Sequence, residues 1–145
     1  MDKKIVSYKD LDVYKRAYKA SIMVMTRVIP KLPESEKFDL RNQLSRSAKA
    51  VPRLIAEGFA KKHQKAGFQK YLTDATAESN ETQVSLCHCR DIYSQYINIK
   101  LCDILIEQYD IISRQLYRLE AAWNSFSKIQ KPKTTDQTID QDRKL

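Results

Sequence analysis

The sequence predicts an all-α protein, an up-down-up-down four-helix bundle, on three observations. Apolar residues recur at steps of three and four in four separate stretches, the signature of helices with one buried stripe. Only 2 glycines and 4 prolines occur in 145 residues, so turns are few and helices long. The stretches are joined by connections of about 5–6 residues, short enough to require antiparallel neighbours. Length and uniform composition suit one domain with a modest core over residues 1–126, followed by a flexible polar tail over 127–145.

The first helix is expected from Asp10, as N-cap, to Ile29, with Leu11, Tyr14, Tyr18, Ile22, Met25 and Ile29 facing inward and Pro30 and Pro33 ending it. The second is expected from Ser35, a cap candidate, to Ala60 on the pattern Leu40, Leu44, Ala48, Val51, Ile55, Phe59. Pro52 falls inside that pattern and removes one backbone bond; because the apolar period continues on both sides, the helix is read as bent rather than broken. The third is expected from Ala66 to Tyr96, with Phe68, Leu72, Ala75, Ser79, Thr82, Leu86 and Cys89 inward, its small middle residues allowing close approach of a neighbour. The fourth is expected from Ile99 to Phe126, with Leu101, Leu105, Tyr109, Ile112, Leu116 and Leu119 on one face.

Charge is unevenly spread. Lys and Arg number 26 against 18 Asp and Glu, yet residues 1–70 carry a net +10, residues 71–126 a net −4 and residues 127–145 a net +2. The expected topology gathers Lys3, Lys4 and Lys9, then Lys61, Lys62, Lys65 and Lys70, then Lys128, Lys131 and Lys133 at one pole. Such a pole suits a polyanion, RNA or DNA, through phosphate contacts that give affinity without reading sequence. Phe68 and Tyr71 are candidates to stack on bases, although this spacing favours core packing, above all for Phe68. The end of the first helix (Ile22, Met23, Val24, Met25, Val28, Ile29) and the start of the fourth (Leu101, Ile104, Leu105, Ile106) are apolar around more than one face, so a subunit interface is expected there.

Arg46, Lys49 and Arg53 form a basic face on the second helix. Asp74, Glu78 and Glu81 form an acidic face on the third, and pairing between the two is expected, within or between subunits. That pairing partly neutralises Arg46, Lys49 and Arg53 and leaves Lys61, Lys62, Lys65 and Lys70 as the freer charge. Glu57, one residue before Gly58, is expected to tie down an arginine or backbone groups locally.

Catalytic and metal chemistry finds no visible home. A di-metal carboxylate bundle needs Glu-x-x-His on two helices; the chain has 2 histidines, His63 and His88, and neither follows a glutamate by three. Adjacent residues of Cys87-His88-Cys89 point about 100° apart on a helix and cannot close a tetrahedral site, so the cysteines are read as small hydrophobes with His88 on a polar face. The arginine–histidine spacing of helical ribonucleases is missing, since Arg53 precedes His63 by ten residues, and no glycine-rich phosphate loop, nucleophilic triad or dinucleotide fingerprint occurs. The expectation is a non-enzymatic protein with no cofactor and no metal. Three cysteines, no secretory leader and no apolar run of about 20 residues point to a cytoplasmic protein without a membrane span.

Three segments, YKDLDVYKRA (8–17), LRNQLSRSA (40–48) and VPRLIAEGF (51–59), together resemble the bacterial four-helix-bundle family encoded in 23S rRNA intervening sequences. The resemblance covers about residues 8–120 and rests on Gln43, Arg46, Pro52 and the run Ile55 to Gly58, with Glu81 matching in the third helix. The resemblance extends to a relative of that family, the accessory variability protein of diversity-generating retroelements. The resemblance implies a homopentameric ring with a basic surface, no established catalysis, and nucleic acid and a reverse transcriptase as partners. The chain departs from the family pattern at Arg53 and Leu54, where polar residues are usual, and at Ala77-Glu78, where Gly-Ser is usual. The runner-up reading is a protein-interaction scaffold whose basic pole docks a reverse transcriptase or a ribosomal partner.

Overall fold

A computed structural model describes residues 4–130, with side chains as far as Trp123. The described chain is helical, with α1 over Asp12–Met23, α2 over Leu40–Ala60, α3 over Lys65–Ile92 and α4 over Ile99–Gln130. α1 lies beside α2 and α4, and α3 lies beside the same two, which closes a four-helix bundle. Both poles are tied across the sequence. At one, Trp123 on α4 donates from Nε1 to the Lys62 carbonyl at 3.0 Å and its ring meets Phe68 at 4.9 Å. At the other, Arg90 near the end of α3 reaches Asp103 on α4 at 2.9 Å, and the Tyr93 hydroxyl donates to Glu36 in the α1–α2 connection.

The expected seams of α2 and α3 are the buried ones: all six named residues of α2 and all seven of α3 are buried. In α4, Leu105, Tyr109, Ile112 and Leu116 are fully buried, while Leu101 and Leu119 pack against the core from its edge. α2 runs without a break through Pro52, which is itself buried. The small middle of α3 is a hydrogen-bonded seam. Thr82 Oγ1 donates to Ser47 Oγ on α2 at 2.8 Å, and Ser79 Oγ donates to the Tyr109 carbonyl on α4 at 3.0 Å. Bonded hydroxyls let three helices approach closely with no buried polar group left orphaned at those positions.

In α1 the inward face is rotated from the one expected: Leu11, Tyr14 and Ile29 pack against the core only from its edge. Val13, Ala17, Ala20, Ser21, Val24 and Val28 are buried, whereas Tyr18 is 52% exposed and Ile22 45% exposed. This helix carries apolar residues on two faces, and the bulky ones mark the outer face. The core side is built from alanine and valine because close helix approach leaves room only for small side chains.

The ends also differ. Asp10 is no N-cap for α1; its carboxylate accepts from the Val6 and Ser7 amides, both at 2.9 Å, around a separate 3₁₀ turn over Tyr8–Asp10. α1 passes into a π turn over Val24–Val28 and a 3₁₀ turn over Ile29–Lys31, as Pro30, lacking an amide hydrogen, cannot continue the α pattern. α2 starts at Leu40 rather than Ser35, its first amide held by the Glu36 carboxylate at 3.2 Å. α3 ends at Ile92, four residues before Tyr96. α4 runs past the expected boundary at 126 to Gln130; Lys3, Lys131, Lys133 and the tail beyond Gln130 lie outside the described residues, as does the side chain of Lys128.

Candidate nucleic-acid interface

The α2–α3 turn carries the basic cluster the sequence points to. Lys61, Lys65 and His63 are exposed and Lys62 is half-buried, its ammonium 4.4 Å from the Phe59 ring centroid. This cation–π contact and the bond from Trp123 to the Lys62 carbonyl fix the turn against the end of α4. Lys65 is the first residue of α3, where unpaired amides add positive potential. Among the described residues, Lys61, Lys62 and Lys65 form no ion pair.

Lys70 does not belong with them electrostatically. Its ammonium sits 3.0 Å from Asp74 one turn on, and that hydrogen bond raises its pKa. The cross-helix pairing expected between the basic face of α2 and the acidic face of α3 is not formed among the described residues. Asp74 is taken by Lys70, and Arg53 pairs with Glu57 in its own helix at 3.8 Å. Glu78 has a raised pKa from partial burial and from its neighbour Glu81, opposed by the more distant charges of Arg46 and Arg53. The pairs form within helices because an i, i+4 partner is reached without bending a long side chain across a helix gap. The consequence reverses the expected division of charge: Arg46 and Lys49 are exposed without an ion pair among the described residues, and Lys70 is the neutralised member.

Lys49 and Arg53 flank a groove between α1 and α2 of about 400 Å³ that sequence reasoning missed. Its α1 wall is an aromatic ladder. The Tyr8 and Tyr14 rings meet edge to face at 4.8 Å, and Tyr14 and Tyr18 stack at 6.0 Å. Partial burial, together with the neighbouring phenols of Tyr8 and Tyr18, raises the Tyr14 pKa. Pro52 and Ala56 form the α2 wall, and Ile22 and Met25 line the groove further along α1. The signal was present as tyrosines at positions 8, 14 and 18, but assigning Tyr14 and Tyr18 to the core hid it. Phe68 is buried and unavailable for stacking, and Tyr71 is half-buried with Lys70 over its ring at 5.7 Å.

The remaining motif residues have structural places. Gln43 is exposed in the first turn of α2 and Glu81 is exposed on α3. Glu57 holds Arg53, as expected, and Gly58 is buried inside α2 against α3, with ordinary helical backbone rather than a left-handed helix end. Cys89 is buried and burial pushes its thiol up to about 12, while His88 is exposed. Met25 and Ile104, expected to share an interface, lie on opposite sides of α1, in the α1–α2 and α1–α4 grooves. No described helix is long and apolar enough to cross a membrane.

A comparison with curated proteins finds no match. A family model described as 23S rRNA-intervening sequence protein matches residues 9–118, a span that runs from the first tyrosine turn through α4 as far as Arg118. Having the helical architecture and more than half of its length within that match, the chain belongs to the family of 23S rRNA-intervening sequence proteins.

Proposed function

We propose that the chain is a non-enzymatic, oligomeric accessory protein that binds single-stranded RNA or DNA. The observation that carries this reading is the tyrosine ladder beside two cations: Tyr8, Tyr14 and Tyr18 line one wall of a groove whose other wall presents Lys49 and Arg53. Aromatic faces stack on successive bases and adjacent cations follow the backbone, a combination that tolerates any sequence. Lys61, Lys62 and Lys65 extend the phosphate contacts at the pole where the groove begins. A labelled single-stranded oligonucleotide titrated at low ionic strength tests the reading: saturable binding that is weakened in Tyr18→Ala is the expected result, and no binding would remove it.

Assembly as a homo-oligomer, a pentamer on the family resemblance, is supported by exposed Ile22 and half-buried Met25 at the far end of the same groove, since apolar side chains left uncovered favour a second subunit. The same residues support the alternative of a scaffold that docks a protein such as a reverse transcriptase, in the manner of the retroelement accessory proteins. A monomeric mass in dilute solution, unchanged in Ile22→Asp, would contradict self-assembly.

A further inference from the structure

The groove on the other side of α1, where it meets α4, is larger, at about 850 Å³, and chemically unlike the tyrosine groove. Lys15, Arg16, Lys19 and Arg27 line it with a single carboxylate, Asp12, and no aromatic ring. The four cations stand on one side of the helix and span about 18 Å of its axis, with Lys15 and Lys19 about 6 Å apart. None of them forms an ion pair among the described residues. Four like charges held together without carboxylate partners raise the potential of the groove and select an anion with several charges in a row.

Arg16 supplies the directional element. It is half-buried at the base of the groove, and its Nη1 donates to Gln108 Oε1 on α4 at 2.6 Å, which fixes the plane of the guanidinium. Its Nη2 makes no hydrogen bond among the described residues and is the nitrogen left open to the groove, while its Nε and the Oε1 of Gln115, also in the lining, are both buried without a partner. A guanidinium held in place with an N–H unspent matches a phosphate oxygen better than a mobile lysine does.

We propose that the α1–α4 groove is a binding site for adjacent phosphate groups, with Arg16 as the fixed contact, Gln108 as the residue that positions it, and Lys15, Lys19 and Arg27 as the flanking charges. The groove has no stacking surface, so it takes phosphates and leaves bases uncontacted. The site is separate from the tyrosine groove and from the α2–α3 turn, and it stands whether or not those surfaces bind nucleic acid.

Calorimetric titration of the full chain with inorganic tripolyphosphate at moderate ionic strength tests the site. One saturable event per chain is expected, weakened about tenfold in Arg16→Gln, the effect of losing one charge-assisted hydrogen-bonding group. The exposed pair Lys19→Gln/Arg27→Gln, which leaves the core untouched, must also weaken it, so a folding defect in Arg16→Gln does not decide the matter. The triple change Lys61→Gln/Lys62→Gln/Lys65→Gln leaves the affinity unchanged. Displacement of tripolyphosphate by a single-stranded oligonucleotide identifies the phosphates as those of a strand; failure to displace identifies a free polyphosphate. Absence of saturable binding, or binding kept in Arg16→Gln and Lys19→Gln/Arg27→Gln but lost in the triple variant, would overturn the proposal.

Discussion

Gly58 on α2 faces Tyr71 on α3 so closely that a Cβ built on the glycine would lie 2.9 Å from the Tyr71 Cβ. Both atoms belong to helix walls, so neither can swing aside, and the glycine sets how near the two helices approach. In an exposed helix, Gly→Ala is favourable by about 1 kcal/mol; here overpacking costs ~1–3 kcal/mol and wins. Gly58→Ala is therefore expected to lower the melting temperature. Gly67→Ala, where the new Cβ would meet nothing nearer than 3.4 Å, is expected to raise it. Equal shifts of the same sign in a thermal melt would show that the contact does not control the packing of these helices.

Glu78 provides a test by pH. Its carboxyl pKa is raised in the folded state above the ordinary value of 4.5, chiefly by burial and then by Glu81. A folded state that binds the proton more tightly than the unfolded chain is favoured below that value, and the advantage is lost as pH rises through the folded pKa. Glu78→Gln removes the titration, so the variant should gain on the wild type as pH goes from 4 to 7 in denaturant midpoints. A gap that stays constant across that window would mean that the charge carries no penalty.

The cysteines separate by burial. Cys87 is partly exposed, whereas Cys89 and Cys102 are buried with thiols pushed up by desolvation, the former to about 12. Thiolate is the reactive form. Alkylation of the native protein should mark Cys87 first, with Cys89 and Cys102 reacting only once the bundle opens; mass spectrometry of native protein labelled at Cys89 would contradict the packing.

Stacking and charge can be told apart at the tyrosine groove. Tyr18→Ala removes a half-exposed ring that makes no hydrogen bond in the core, and the expected loss of single-strand affinity is ~1–3 kcal/mol with the salt dependence kept. Lys49→Gln should do the reverse in kind, reducing the salt slope by about 0.7, the share of one single-strand phosphate contact. If both variants change only the slope, the tyrosines do not meet bases.

Much of the fold was legible because α2 and α3 each carry one apolar stripe, and a single stripe has a single solution: Leu44, Val51, Ile55, Leu72 and Leu86 are where their spacing puts them, as are Leu105 and Ile112 in α4. α1 was legible as a helix but not in its orientation. It has two stripes, and volume pointed to the wrong one, since Tyr18 and Ile22 are larger than Ala17 and Ala20 while only the alanines fit the gap. That one rotation hid the tyrosine groove, because placing Tyr18 and Ile22 inward removes them from the surface they line. The charge pairing inside the chain was not legible for a different reason. Sequence shows which faces are opposite in sign, but whether Arg53 turns to Glu57 or to Glu78 depends on a few ångströms of helix separation that no spacing encodes.

A polyanion held by the α2–α3 turn and the groove beside it would release counterions as it binds. The most direct measurement is the slope of log affinity against log salt for a single-stranded oligonucleotide, in the wild type and in Lys61→Glu/Lys62→Glu/Lys65→Glu. The wild type should bind at low salt with a steep negative slope, and the variant should bind more weakly with the slope reduced by about 2, as three lost phosphate contacts require. An unchanged slope, or no binding by the wild type at low salt, would contradict the account.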